Sequence, residues 1–212
     1  MAAHSRPPTS YTVSPALHRY SSVPPAALLA ADPDIDHLIA GAVVTNPHGL
    51  VLLLRRAATD SWPLRWEVPG GCVDAADASL VAAAVRELWE ETGLRATAVT
   101  RAVRLLDEDE DGDGDGEVKS DSGEGEADLR VKDDLCLFRE TGSVWAKLTA
   151  WVDVESCDAV VVRDDEHAEW AWVSEEEARR RRFADGRELD FVSEGVRRTV
   201  LEGFRLWKLA HQ

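Results

Sequence analysis

Three carboxylates crowd into five residues of this chain: Glu87, Glu90 and Glu91, within Arg86-Glu87-Leu88-Trp89-Glu90-Glu91-Thr92-Gly93-Leu94. In a helix, positions three and four apart lie on one face, so these acids share an arc of roughly 100° within one turn. Three like charges so close repel one another, and hard divalent cations, which take oxygen ligands, make such a cluster favourable. Magnesium or manganese is the expected cofactor. An isolated acidic helix face is more often simply solvated, but here the flanks argue for a site. Upstream, Pro69-Gly70-Gly71 turns without a Cβ and leaves carbonyls close enough to join a metal shell. Downstream, Gly93 stands where a helix C-cap belongs.

The elements that must hold these residues are legible in the same way. From Ala78 to Thr92 no residue breaks a helix, and Val81, Ala84, Val85 and Leu88 recur at the spacing of one apolar face. The apolar runs 37–45 and 50–55, separated by Asn46-Pro47-His48-Gly49, predict a hairpin. Further strands are expected at Ala96 to Leu106, then, past the acidic tract, at Cys136 to Phe138 or Trp145 to Val154, and at Ala159 to Val162 and Glu169 to Val173. Two helical pieces close the chain: Ser174 to Arg182, opened by a Ser174/Glu177 capping box, and 193–210. Mixed strands with segregated helices predict an α+β domain, an αβα sandwich on a mixed central sheet. It spans residues 37–212, behind a Pro/Ser/Ala-rich arm (1–36) that is mostly irregular, with at most one short helix near Pro25 to Ala31.

From Gly71 to Leu94 the sequence resembles the box of the Nudix hydrolase family: Gly, five residues, Glu, seven residues, Arg-Glu-apolar-any-Glu-Glu-any-Gly-apolar. The half from Arg86 to Leu94 matches at every fixed position. With Gly71 as the box glycine, Asp77 stands where the family has Glu, and eight residues rather than seven separate it from Arg86. Val51 to Ala57 and Trp66-Glu67-Val68-Pro69-Gly70-Gly71 are also similar to what precedes the box, and the resemblance covers about residues 37–182. It implies a metal-dependent hydrolase that cuts a diphosphate linkage in a small-molecule nucleoside diphosphate derivative. Glu87, Glu90 and Glu91 are implied metal ligands, with the Gly70 carbonyl as a further one. Arg86 orients the glutamates, and the general base is a helix glutamate or a loop acid, here Glu166. Glu67 is a further candidate for contacting metal-bound substrate or Arg86. The alternative reading is a catalytically weak Nudix-fold module that binds nucleotides or a protein; the complete glutamate set argues against it.

The bulk properties bound the rest. The chain has 212 residues, enough for one sizeable domain, and a net charge of −16. Twelve acidic residues and one Lys between Asp107 and Asp128 account for −11 of that charge, so the remainder carries −5. This tract reads as a disordered insertion; the enzyme reading predicts that its deletion has little effect on hydrolysis. Its Asp107-x-Asp109-x-Asp111-Gly112 imitates a calcium loop, but Val118 stands where a bidentate Glu is required. Arg179 to Arg182 follow Glu175 to Glu177, which predicts pairing along the helix. His167, with no second His or Cys at ligand spacing, reads as a loop hydrogen-bonding residue. Cys72, Cys136 and Cys157 form no C-x-x-C pair, which suits a reducing compartment. With no signal pattern and no long apolar run, a cytoplasmic or nuclear protein is expected, with neither membrane nor nucleic acid as partner. The arm and the tryptophans permit a homodimer without requiring one.

Overall fold

A computed structural model describes residues 10–105, 129–163 and 166–212. In chain order its elements are β1 (Thr12–Val13), a 3-10 turn at Pro15–Leu17, α1 (His18–Ser22), α2 (Pro25–Ala31), β2 (His37–Val43), β3 (Val51–Arg56), β4 (Trp66–Glu67), β5 (Gly70–Cys72) and α3 (Leu80–Thr92). There follow β6 (Ala96–Ala102), β7 (Arg130–Lys132), β8 (Leu135–Glu140), β9 (Ser143–Val154), β10 (His167–Val173), α4 (Glu175–Arg180) and α5 (Glu194–Ala210).

The long strand β9 organises the main sheet, whose order is β1-β6-β9-β2-β5. β2 runs parallel to β9, while β6 and β8 share the other edge of β9, both antiparallel. A second sheet, β10-β3-β4, is antiparallel throughout. Alternate residues of β9 point to opposite faces. Ala146, Leu148, Ala150 and Val152 enter one core with Leu17, Tyr20, Leu80, Val85 and Leu88 from the 3-10 turn, α1 and α3. Trp151 enters a second core with Val43, Leu53, Ala178, Val200 and Phe204, and so with α4 and α5. Helices on both sides of a mixed sheet make the predicted αβα sandwich.

The helix that carries the acids forms as expected. Ser79 caps it by accepting from the Ala82 N–H, Gly93 ends it at φ 69°, and Leu80, Val81, Ala84, Val85 and Leu88 are buried. Both capping-box bonds of Ser174 and Glu177 are also made.

Three expectations are corrected. The turn at residues 46–49 exists, with the Asn46 side chain accepting from the His48 and Leu50 N–H groups at 2.9 and 3.0 Å. The hairpin is confined to its first rungs, Thr45 opposite Val51 and the Leu52 N–H to the Val44 carbonyl. Beyond them β2 and β3 part into different sheets, because β9 and β5 occupy both edges of β2. Ala159 to Val162 is no strand. It passes the end of α3, where the Val161 N–H bonds the Thr92 carbonyl at 2.9 Å, taking up an acceptor that the helix terminus leaves without an internal partner. Residues 10–36 are not mostly irregular: beyond the predicted helix at Pro25–Ala31, β1 pairs parallel with β6, and Leu17, Tyr20, Leu28 and Ile35 are buried. Apolar residues scattered among prolines escape a periodicity argument, but they have a sheet face to cover. The predicted strand from Ala96 ends at Ala102, and the acidic tract from Asp107 to Asp128 lies outside the described residues. Among the described residues, no helix is long and apolar enough to cross a membrane.

Candidate active site

Arg86 is the hub of the acidic helix face. Its Nε and Nη2 donate to the two carboxylate oxygens of Asp77 at 3.0 and 2.9 Å. Its Nη1 donates to Glu87 at 2.9 Å and to Glu90 at 2.8 Å, and Nη2 also reaches the Cys72 carbonyl at 3.2 Å. A planar guanidinium serves this role because its donors are fixed in a fork that matches a carboxylate. Asp77, the departure from the family box, therefore anchors the arginine that orients two of the three helix glutamates. The extra loop residue is compatible with that geometry, since Asp77 also accepts from the Asp74 N–H in the turn it closes.

Glu91 is held differently. It lies nearly buried at the end of α3, and its carboxylate accepts from the Gly70 N–H at 2.7 Å. Gly70 lies on β5, at the edge of the main sheet and opposite Gly41 of β2. A Cβ at Gly70 would come 2.6 Å from the Ala40 carbonyl oxygen, so only glycine lets β5 approach β2 while presenting its N–H to Glu91. Gly71 clears space on the other side: a Cβ there would lie 2.7 Å from the nearer oxygen of Glu87.

Glu166 and His167, at the start of β10, complete the group. An oxygen of Glu91, an oxygen of Glu166 and a ring nitrogen of His167 all lie within 4.8 Å of one another. His167 Nε2 is 3.7 Å from Glu91. The Glu166 carbonyl accepts from the Ala57 N–H at 3.0 Å, which fixes the loop to the end of β3. Glu67 on β4 is buried and paired with Arg56. Its charge acts on Glu91 together with those of Glu87 and Glu166.

This crowding has an electrostatic signature. Burial foremost, and then the charges of Glu67 and Glu87, hold the Glu91 carboxyl well above the usual carboxylate range. Burial pushes Glu87 up to about 7 against the opposing pull of Arg86, with Glu90 and Glu166 adding to the rise. Acids that resist ionisation in the bare protein are those a divalent cation would stabilise as carboxylates. The donor set, carboxylate oxygens with one imidazole, fits such an ion.

The sequence-predicted residues are thus brought together, in two subsets. Glu87 and Glu90 are tied to Arg86, whereas Glu91 faces Glu166 across the glycine corner. The expected loop placement of His167 is corrected: it is buried at the first position of β10, with its ring beside Glu91 and Glu166. One of these acids, Glu91, comes from α3, far along the chain, so ligand spacing in the sequence carried no signal for the pairing.

A family profile described as the NUDIX domain matches residues 36–191. Among solved structures, the chain is similar to the MutT protein of Methanosarcina mazei Go1, at 22% identity and a TM-score of 0.53, over 81% of this chain and 95% of that one. It is similar to the E. coli ORF135 protein at 22% identity and a TM-score of 0.51, over 82% and 91% of the two chains. The Ap4A hydrolase of C. elegans matches at 19% identity and a TM-score of 0.50, over 82% and 99%. At these identities the structural likeness establishes the fold. No curated protein sequence matches the chain.

Proposed function

From the premise that the chain belongs to the Nudix family, we propose that it is a metal-dependent hydrolase of a diphosphate linkage, acting on a small nucleoside diphosphate derivative. The observation that carries this reading is the convergence of Glu91, Glu166 and His167 within 4.8 Å, beside glutamates already oriented by Arg86. Magnesium or manganese held by Glu91, Glu87 and Glu90, with the Gly70 carbonyl as a further ligand and with Glu166 and His167 beside Glu91, would neutralise charge on the diphosphate and acidify a water.

The chain's own residues have distinct tasks in this proposal. Arg86 positions Glu87 and Glu90 and is itself positioned by Asp77. Gly70 orients the Glu91 carboxylate through its N–H. Glu166 is the general base: it accepts a proton from the attacking water as the new bond to phosphorus forms and the bridging oxygen leaves with the other phosphate. Its place in a loop, partly exposed and 3.7 Å from Arg163, leaves it reachable by solvent.

The test is phosphate-containing product release from a panel of nucleoside diphosphate derivatives with magnesium or manganese, comparing the natural chain with Glu91→Gln and Glu166→Gln. Loss of a metal-holding carboxylate in the first, or of the general base in the second, should lower kcat/KM by at least about a hundredfold. No cleavage across a broad panel, with nucleotide binding intact, would favour a binding module instead.

A further inference from the structure

The face of the main sheet that continues from the second core is left partly uncovered beyond α5. Ile39 on β2, Cys136 and Phe138 on β8, and Trp145 and Lys147 on β9 are only partly buried there. By their register they form adjacent rows, Ile39 with Lys147 and Cys136, then His37 with Trp145 and Phe138. Cys72 of β5 lies in the first of these rows, opposite Ile39.

Lys147 does not stay in its own row. A Cβ built at Gly41 would lie 3.2 Å from Lys147 Cε and 3.2 Å from the Pro69 carbonyl oxygen. The lysine stem therefore lies over the bare Cα of Gly41, in a space that any other residue would fill. Gly41 is the register partner of Gly70, whose N–H holds Glu91. The lysine side chain thus reaches from its own row, beside Ile39, along β2 to the strand pair Gly41/Gly70 at the glycine corner. Among the described residues, Lys147 forms no ion pair. A partly desolvated ammonium without a counter-ion is costly, and an anion lying between it and a metal-bearing corner would satisfy both.

We propose that Lys147 is a substrate-binding residue that takes a phosphate oxygen of the diphosphate, with the remainder of the substrate extending along the open face of β2, β8 and β9. The inference rests on the hydrolase reading above. It adds the direction in which the substrate lies and the cation that fixes it.

The experiment uses the full chain and two variants, Lys147→Met and Lys147→Arg. Two probes, α,β-methylene-ADP and inorganic pyrophosphate, are titrated calorimetrically with manganese present, and manganese alone is titrated separately. The expected result is a loss of affinity for both probes of between about tenfold and a hundredfold in the Met variant, as for a lost charge-assisted hydrogen bond. The Arg variant should recover most of it, and manganese binding and Tm should be unchanged in both. The Met variant should also show a weaker dependence of probe affinity on salt. Probe affinity within twofold of the natural chain in the Met variant would overturn the inference and leave the hydrolase reading standing. An equal loss of manganese affinity would overturn it too, because Lys147 would then act through the carboxylate site. A natural chain that binds neither probe would overturn both readings together.

Discussion

At the scale of single residues, the site is a balance of charge against burial. Glu87 titrates near 7 when folded but near 4.5 when exposed, chiefly because burial disfavours its ionised form. The folded state therefore holds the proton more tightly than the unfolded state between those values. Stability contributed by this group is full below about 4.5 and is lost as pH rises toward 7. At 13% side-chain exposure the effect is on the order of 3 kcal/mol at most. In chelator-treated protein, raising the pH from 5.5 to 8 should lower Tm, and Glu87→Gln should flatten that slope. Saturating magnesium should also flatten it, since the ion competes with the proton. A metal-free Tm with the same slope in both proteins would refute this account. Asp77 belongs to the same balance. Asp77→Asn keeps the shape but removes the charge that faces Arg86, so we expect at least about a tenfold fall in kcat and a Tm lower by several degrees, through a partly buried pair left uncompensated.

At the scale of elements, β5 makes the sharpest contrast between architecture and chemistry. Its two glycines face different neighbours. A methyl group at Gly70 meets backbone, 2.6 Å from the Ala40 carbonyl oxygen and 2.7 Å from the Gly41 Cα. The nearest atoms to a methyl group at Gly71 are those of the Glu87 carboxylate, the far end of a flexible side chain. Gly70→Ala should therefore destabilise the fold by several kcal/mol through a clash that cannot relax. Gly71→Ala should leave Tm within a few degrees while moving Glu87, lowering metal affinity and turnover. Thermal unfolding and manganese titration on both variants read this directly, and the reverse pattern would show that the approach of β5 to β2 has been misassigned.

At the scale of the whole molecule, the segment before β2 belongs to the domain. β1 adds to the sheet beside β6, and Leu17, Tyr20, Leu28 and Ile35 close the core over α3 and β9. Burying side chains of this size is worth roughly 1.5–3 kcal/mol each, a large fraction of the stability of an ordinary domain. A chain starting at residue 37 should lose more than about 10 °C in Tm or fail to fold. Unchanged cooperative unfolding of that truncation would restore the picture of a dispensable arm. The two sheets meet at the corner of residues 46–49, and that corner carries β3, β4 and β10 to the end of α3. It thereby brings Glu67, Glu166 and His167 to Glu91.

Local rules sufficed where the determinant was local. The period of Val81, Ala84, Val85 and Leu88, the Ser79 and Gly93 caps and the spacing of Arg86, Glu87, Glu90 and Glu91 placed the helix and its acids, because a helix turn brings residues three and four apart together whatever surrounds it. The glycine corner was legible for the same reason. Three features were decided only by tertiary structure: which carboxylates Arg86 takes, the burial that raises Glu87 and Glu91, and the arrival of His167 beside Glu91 from a distant strand. Strand pairing joins residues dozens of positions apart, and the free energy of burying a charge depends on what covers it. Neither is written in the spacing of residues along the chain.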